Sequence, residues 1–336
     1  MLVVDDSPFV RKALLRIFET DPTVDVIGTA RNGREALEKA VELRPDVVTL
    51  DIAMPVMDGI ETLKALMEIY PVPVLMLSQF THEGAELTLK ALEHGAMDFV
   101  DKSTTGMMDF LSLSREIAAK IKGIARNKPK RLHYEHSGLV EYEPHGLVDV
   151  AAIGSSTGGP PALQMILQKL PGNIDFGILI VQHMPKGFTA SLAARLDSLC
   201  PFRVKEAEDG DPIEPGLALV APAGLHMKVA VDLKTGSKSV RLDLDPLNAI
   251  HRPSVDVLFA SVAENIGNRS IAIILTGMGA DGAKGITAIK QAGGKTIAQD
   301  EATSTIFGMP KMAIETGAVD RVLPVTEIAG EILRNA

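Results

Sequence analysis

Short apolar runs recur along this chain, each ending in a polar or glycine-rich turn and most followed by a segment with helical spacing. In the first third, Leu2-Val3-Val4 runs into Asp5-Asp6-Ser7, and Val47-Val48-Thr49-Leu50 runs into Asp51. Val74-Leu75-Met76-Leu77 then ends at Ser78, and Asp98-Phe99-Val100-Asp101 ends at Lys102. Runs that are apolar at every position predict strands covered on both faces, as in a parallel sheet flanked by helices. The alternation persists to about residue 122, with Ser114 to Arg126 reading as a closing amphipathic helix. A polar stretch of mixed charge follows, opening on Asn127-Lys128-Pro129-Lys130-Arg131, and no period is visible in it up to Gly146. From Val148 the buried runs resume. Val148 to Ile153 empties into Gly154-Ser155-Ser156-Thr157-Gly158-Gly159, Gly177 to Val181 into Gln182-His183, and Ser270 to Leu275 into Thr276-Gly277-Met278-Gly279-Ala280-Asp281-Gly282. The pattern predicts an α/β protein of two domains, 1–122 and 148–336, joined by a linker over 123–147.

Composition narrows the classes of function. The chain has 336 residues, enough for two ordinary cores at 46% apolar content, and a net charge of −9. That charge argues against broad attraction to nucleic acid or to an anionic membrane. The basic cluster in the linker is too short to change this, and no recognition-helix pattern follows the first domain. The one cysteine, Cys200, excludes an internal disulfide and reads as structural. No signal-peptide pattern and no bilayer-length apolar run is present, which predicts a cytoplasmic protein without membrane insertion.

The first domain gathers acids where an open parallel sheet binds its ligands, at the carboxyl ends of its strands. Asp5, Asp6 and Asp51 brought together there would repel one another unless a cation lay between them. All-oxygen ligation of this kind suits Mg²⁺, which also favours phosphate oxygens. A hydroxyl at Ser78 and an ammonium at Lys102 can each hold a phosphoryl oxygen. Five residue types at successive strand ends resemble the receiver domain of bacterial two-component systems, over the whole of the first domain. The resemblance implies a flavodoxin-like (βα)5 fold in which Asp51 accepts a phosphoryl group from a histidine kinase. It further implies that Asp5 and Asp6, with Asp51, bind Mg²⁺, that Ser78 and Lys102 relay the change, and that Phe99 is the switch aromatic.

The turn after Ile153 admits two readings. A dinucleotide site would place pyrophosphate on the helix that follows, but the glycines at 154, 158 and 159 do not fit G-x-G-x-x-G, and the next strand ends in Gln182-His183 rather than in an acid. The alternative is a nucleophile turn, in which small residues let a serine hydroxyl stand clear beside backbone N–H donors. His183 at the neighbouring strand end then supplies a base, and Asp281 an acid to orient it.

The motifs G-S-S-T-G-G, Q-H-M-P and L-T-G-M-G-A-D-G, with His251-Arg252-Pro253-Ser254-Val255-Asp256 and Ala221-Pro222-Ala223-Gly224-Leu225-His226, are similar to those of the chemotaxis methylesterases of the CheB family, from about residue 148 to the C-terminus. The resemblance implies a doubly wound, mostly parallel α/β/α catalytic domain. It implies Ser156 rather than Ser155 as nucleophile, His183 as general base, Asp281 as its partner, and Thr157 and the Met278 amide as the oxyanion site. Ser155 stands where the family commonly has Ala. The expected reaction is hydrolysis of glutamate γ-methyl esters on the cytoplasmic helices of methyl-accepting chemoreceptors, releasing methanol, with deamidation of receptor glutamines as a second activity. It needs no cofactor beyond the Mg²⁺ of receiver phosphorylation, and the receiver is expected to inhibit until phosphorylated. The competing expectation is a non-catalytic receiver-containing adapter. His226 and His251 are open between cleft and structural roles.

Overall fold

The computed structural model describes residues 1–19, 21–79, 81–102, 107–127, 142–143 and 145–336, with the side chains of residues 82 and 107–112 excepted. The chain divides into two compact units, Met1–His133 and Tyr134–Ala336, each with its own parallel sheet. The expected linker over 123–147 falls largely on residues outside those described.

In the first unit the strands are β1 (Leu2–Val4), β2 (Gly28–Ala30), β3 (Val48–Asp51), β4 (Val74–Ser78) and β5 (Asp98–Asp101), in sheet order β2-β1-β3-β4-β5. Every named pairing is parallel. The order is that of the flavodoxin-like doubly wound fold, whose direction of winding reverses between β1 and β3. Side chains of β1, β3 and β4 are buried along their full length, as their unbroken apolar runs require. Asn32, Asp58 and Thr81 cap the helices that follow them by accepting the amides of Glu35, Glu61 and Gly84. The closing helix spans Met107–Ile124 and so begins earlier than its amphipathic pattern suggests. Met107 to Leu113 is mostly apolar, so the helical period is weaker there than in the charged stretch that follows.

The second unit holds β6 (Val150–Ser155), β7 (Gly177–Gln182), β8 (Arg203–Glu206), β9 (Leu217–Val220), β10 (His226–Val231), β11 (Lys238–Asp243), β12 (Ser270–Ile274), β13 (Lys295–Gln299) and β14 (Arg321–Leu323). Seven of them form one parallel sheet in the order β14-β13-β12-β6-β7-β9-β8, and β10 pairs with β11 as a separate antiparallel hairpin. Winding runs outward from β6 in both directions, so the switch point lies between β6 and β12. The helix Val255–Asn265 packs its buried Val255, Leu258, Phe259 and Val262 into the core beneath the sheet. Phe259 is fully buried, and its truncation to Ala would cost about 3–5 kcal/mol. The last residues before β6 also belong to this unit. The Tyr142 hydroxyl donates to Asp175, the Gly146 amide donates to the same carboxylate at 2.7 Å, and Arg269 donates to the Gly146 carbonyl at 2.9 Å.

Candidate active site and phosphoacceptor site

Strand register assembles the acid cluster of the first unit. Val4 pairs with Leu50, so the next residues, Asp5 and Asp51, stand side by side at the switch point. Ser78 pairs with Asp101, which puts Lys102 one step beyond the neighbouring strand end. The Lys102 ammonium lies 2.8 Å from Asp51 Oδ1 and 3.0 Å from Asp5 Oδ2. Asp5, Asp6 and Asp51 each offer an oxygen, all within 4.8 Å of one another, with Asp6 exposed and the other two buried. Burial raises the Asp51 pKa, opposed by the hydrogen bond and charge of Lys102 and assisted by the charges of Asp5 and Asp6. Burial works against the Lys102 charge, but Asp51 and Asp5 outweigh it and raise the amine. The turn is held by Arg11, whose guanidinium donates to the carbonyls of Asp5 at 2.7 Å and Asp6 at 2.9 Å. Gly59 permits the close approach behind Asp51, since a Cβ there would meet the Asp51 carbonyl oxygen at 2.2 Å. The Ser78 hydroxyl accepts from Thr88 Oγ1 at 2.7 Å. Phe99 is buried, with the Lys120 ammonium 5.5 Å from its ring centre.

A second register does the same for the catalytic motifs. Ser155 pairs with Gln182 across β6 and β7, so Ser156 and His183 follow side by side. The His183 amide donates to the Ser155 carbonyl at 3.0 Å, and the Ser156 amide to the Thr276 carbonyl at 3.0 Å. The second bond brings the loop after β12 against the serine. His183 Nε2 lies 2.9 Å from Asp281 Oδ2, while the buried His183 Nδ1 has no partner among the described residues. Ser156 is half-buried.

Asp281 is gripped at the N-terminus of the helix Val255–Asn265. Its carboxylate accepts from Ser254 Oγ at 2.8 Å, the Val255 amide at 2.8 Å and the Asp256 amide at 3.0 Å. Burial alone would raise the carboxyl. The hydrogen bond and charge of His183 and these amides reverse that and lower it to about 2. Asp256 fixes the loop from the other side by accepting the amides of Gly282 at 2.9 Å and Gly285 at 2.7 Å. Gly282 itself has φ +99, a conformation that favours glycine.

The oxyanion candidates lie in the same neighbourhood. Thr157 is buried and its carbonyl accepts from Thr276 Oγ1 at 2.9 Å. The exposed Met278 has an amide with no acceptor among the described residues. Gly277 lies directly on the turn that carries Ser156: a Cβ there would stand 2.8 Å from Ser156 Cβ and 2.3 Å from Met309 Sδ.

Four positioning groups lie within the quoted motifs, but their spacing assigned them no contact. Gln182 is buried and donates from Nε2 to the Ser156 carbonyl at 2.9 Å and to the His183 carbonyl at 3.0 Å. Ser155 in turn donates to Gln182 Oε1 at 2.6 Å, which orients the amide. Ser254 and Asp256 lay within a motif that marked likeness without stating a role. Of the two open histidines, His226 is fully buried at the start of β10, and His251 stacks on His183. The Cys200 thiol is pushed up to about 12 by burial, with the Asp197 charge adding to it.

A parallel α/β unit with an acid cluster at its switch point, joined to a second with Ser, His and Asp motifs at its own, defines a response regulator with a hydrolase as output domain. Residues 1–109 match the response regulator receiver domain, and residues 151–332 match the CheB methylesterase family. The protein-glutamate methylesterase/protein-glutamine glutaminase of Pyrococcus abyssi is 47% identical, over 99% of this chain and 92% of its own length. That of Geobacillus kaustophilus is 46% identical over 99% and 97%. The catalytic domain of Thermotoga maritima CheB methylesterase aligns with a TM-score of 0.55 at 44% identity, covering 56% of this chain and 99% of that domain. The chain belongs to the CheB methylesterase family, with a receiver domain in front. No helix among the described residues is long and apolar enough to cross a membrane.

Proposed function

We propose that this chain is a phosphorylation-regulated protein-glutamate methylesterase and glutaminase acting on chemoreceptors. The observation that carries the reading is the His183–Asp281 contact of 2.9 Å, with the second imidazole nitrogen unpartnered and Ser156 at the adjoining strand end. His183 takes the proton of Ser156 Oγ as that oxygen bonds to the acyl carbon of a glutamate γ-methyl ester. The Met278 amide and Thr157 receive the oxyanion. His183 then gives its proton to the departing methoxide, and methanol leaves. A water molecule repeats the sequence on the acyl-enzyme and releases the free glutamate. With a glutamine substrate the first leaving group is ammonia. Asp281, with its carboxyl at about 2, stays ionised throughout and balances the imidazolium.

Asp51 is the phosphoacceptor in this reading, served by a chemotaxis histidine kinase in the cytoplasm. The three carboxylates fit Mg²⁺, since each supplies an oxygen and two are buried beside a strand end. Asp5, Asp6 and Asp51 would hold the ion, which when bound screens the charge of an incoming phosphoryl group. Lys102, already in contact with Asp51, pairs with a phosphoryl oxygen. Ser78 supplies a hydroxyl to another, and Phe99 follows it.

Methanol release from methylated receptor membranes, run beside labelling with a serine-directed fluorophosphonate, tests the assignment. Release and labelling in the wild type, both lost in Ser156→Ala, are expected. Undiminished release by Ser156→Ala would remove Ser156 as nucleophile.

A further inference from the structure

The imidazole of His251 lies flat against that of His183, with ring centres 4.2 Å apart and planes inclined by only 17°. His251 keeps part of its surface in solvent, so the stack is not a by-product of core packing. Its segment is anchored on both sides of the ring. The Gly224 amide donates to the Arg252 carbonyl at 3.0 Å, Arg252 Nη2 donates to the Leu247 carbonyl at 3.0 Å, and Ser254 Oγ donates to Asp281 at 2.8 Å.

Two constraints therefore act on one ring. Asp281 holds an edge of His183 and His251 covers a face, so rotation of the His183 ring breaks both contacts at once. The charged groups around His251 are few. His183 and Asp281 face it. Arg252 follows it in the chain and is engaged by the Leu247 carbonyl, while Asp256 is turned toward the amides of Gly282 and Gly285. Crowding of the ring and the charge of His183 lower the His251 pKa, with Asp281 opposing. His251 is therefore neutral at neutral pH. A neutral aromatic face stabilises a cation stacked on it, whereas a second positive charge repels it. The imidazolium that arises as Ser156 is deprotonated is that cation.

We propose that His251 is a positioning residue for ester hydrolysis: stacked on His183, it fixes the plane of the base and accommodates the charge the base acquires. This rests on His183 serving as general base.

The test uses the full chain with p-nitrophenyl acetate from about pH 5 to about pH 9, a range that spans imidazole titration. His251→Ala is expected to lower kcat about tenfold with KM nearly unchanged, the scale of one aromatic contact made in the transition state. His251→Phe, which keeps a flat ring, is expected to recover most of the loss. Circular dichroism melts establish that each variant is folded. A His251→Ala kcat equal to wild type, a loss confined to KM, or a folded Phe variant as slow as the Ala variant would each overturn the proposal. His183→Ala is run in parallel: retained activity there would overturn the base assignment instead, so the two failures are distinct.

Discussion

Gln182 donates across 2.9 Å to the carbonyl of Ser156, tying the end of β7 to the residue that follows β6. A further bond to the His183 carbonyl at 3.0 Å makes one buried amide the brace between the two turns that carry Ser156 and His183, the proposed nucleophile and base. Removing it leaves the Ser156 carbonyl with only the Gly159 amide, at 2.8 Å, and takes away the side-chain donor of the His183 carbonyl, at roughly 1–3 kcal/mol. Gln182→Met, close in size but unable to donate, should lower the melting temperature and reduce kcat at least tenfold with little change in KM. Ser155→Ala removes only the bond that orients the amide, and should cost about 1 kcal/mol with most activity kept. Undiminished kcat in a folded Gln182→Met would show that strand pairing alone sets the spacing.

The triad itself should fail as a unit. Ser156→Ala and His183→Ala are each expected to abolish nearly all ester hydrolysis, and the double variant should be no worse than either. Turnover of receptor methyl esters, followed as methanol, gives the comparison. A double variant far slower than both singles would mean that the two act separately.

Asp281 links the site to acid stability. Its folded carboxyl at about 2 lies below the ordinary value of 3.8, so the folded state binds this proton less readily than the unfolded state. The stabilisation is complete above about pH 4 and disappears as pH falls through about 2, with a size on the order of 2 kcal/mol. Asp281→Asn should therefore flatten the acid side of a melting-temperature profile and bring wild type and variant together at the lowest pH. Parallel profiles for the two proteins would contradict it.

Acetyl phosphate should phosphorylate Asp51 in the presence of Mg²⁺, and chelation should stop it. Asp51→Asn should take up no phosphate at the base-labile acyl-phosphate site, and Lys102→Ala should leave the phosphorylated protein less able to change output. Full labelling of Asp51→Asn would displace the phosphoacceptor.

If phosphorylation governs the esterase, the fragment from Val148 to Ala336 should demethylate receptors faster than the unphosphorylated whole chain. Phosphodonor should stimulate the whole chain and leave the fragment unchanged. Equal rates for both would leave the receiver without an inhibitory role.

Much of this architecture was legible because strands covered on both faces are apolar throughout and end abruptly in polar residues. Asp5, Asp51, Ser78 and Lys102 mark four such ends, and Ser156, His183 and Asp281 follow three more. β2 escaped because Gly28-Thr29-Ala30 is three residues long and only its last side chain is buried. The hairpin of β10 and β11 escaped because its exposed face breaks the apolar run. Gln182 reaches the Ser156 carbonyl and Asp256 the Gly282 and Gly285 amides, all distant in sequence, and no spacing rule encodes such partners. The stacking of His251 on His183 depends on how a loop between β11 and a helix returns to the sheet, which the motif alone does not reveal.

Gly277 touches the Ser156 turn with nothing but backbone, so on the proposed mechanism a single carbon atom is enough to disarm the protein without altering one polar group. Gly277→Ala would drive that carbon toward Ser156 Cβ and Met309 Sδ, at 2.8 and 2.3 Å. The Ser156 hydroxyl would be shifted from the line of attack proposed for it, while Thr157, the Met278 amide and the receiver remained chemically intact. On the proposed function, such a variant would still dock a methylated receptor helix and leave its ester intact, which makes this glycine the place to turn an eraser of methyl marks into a reader of them.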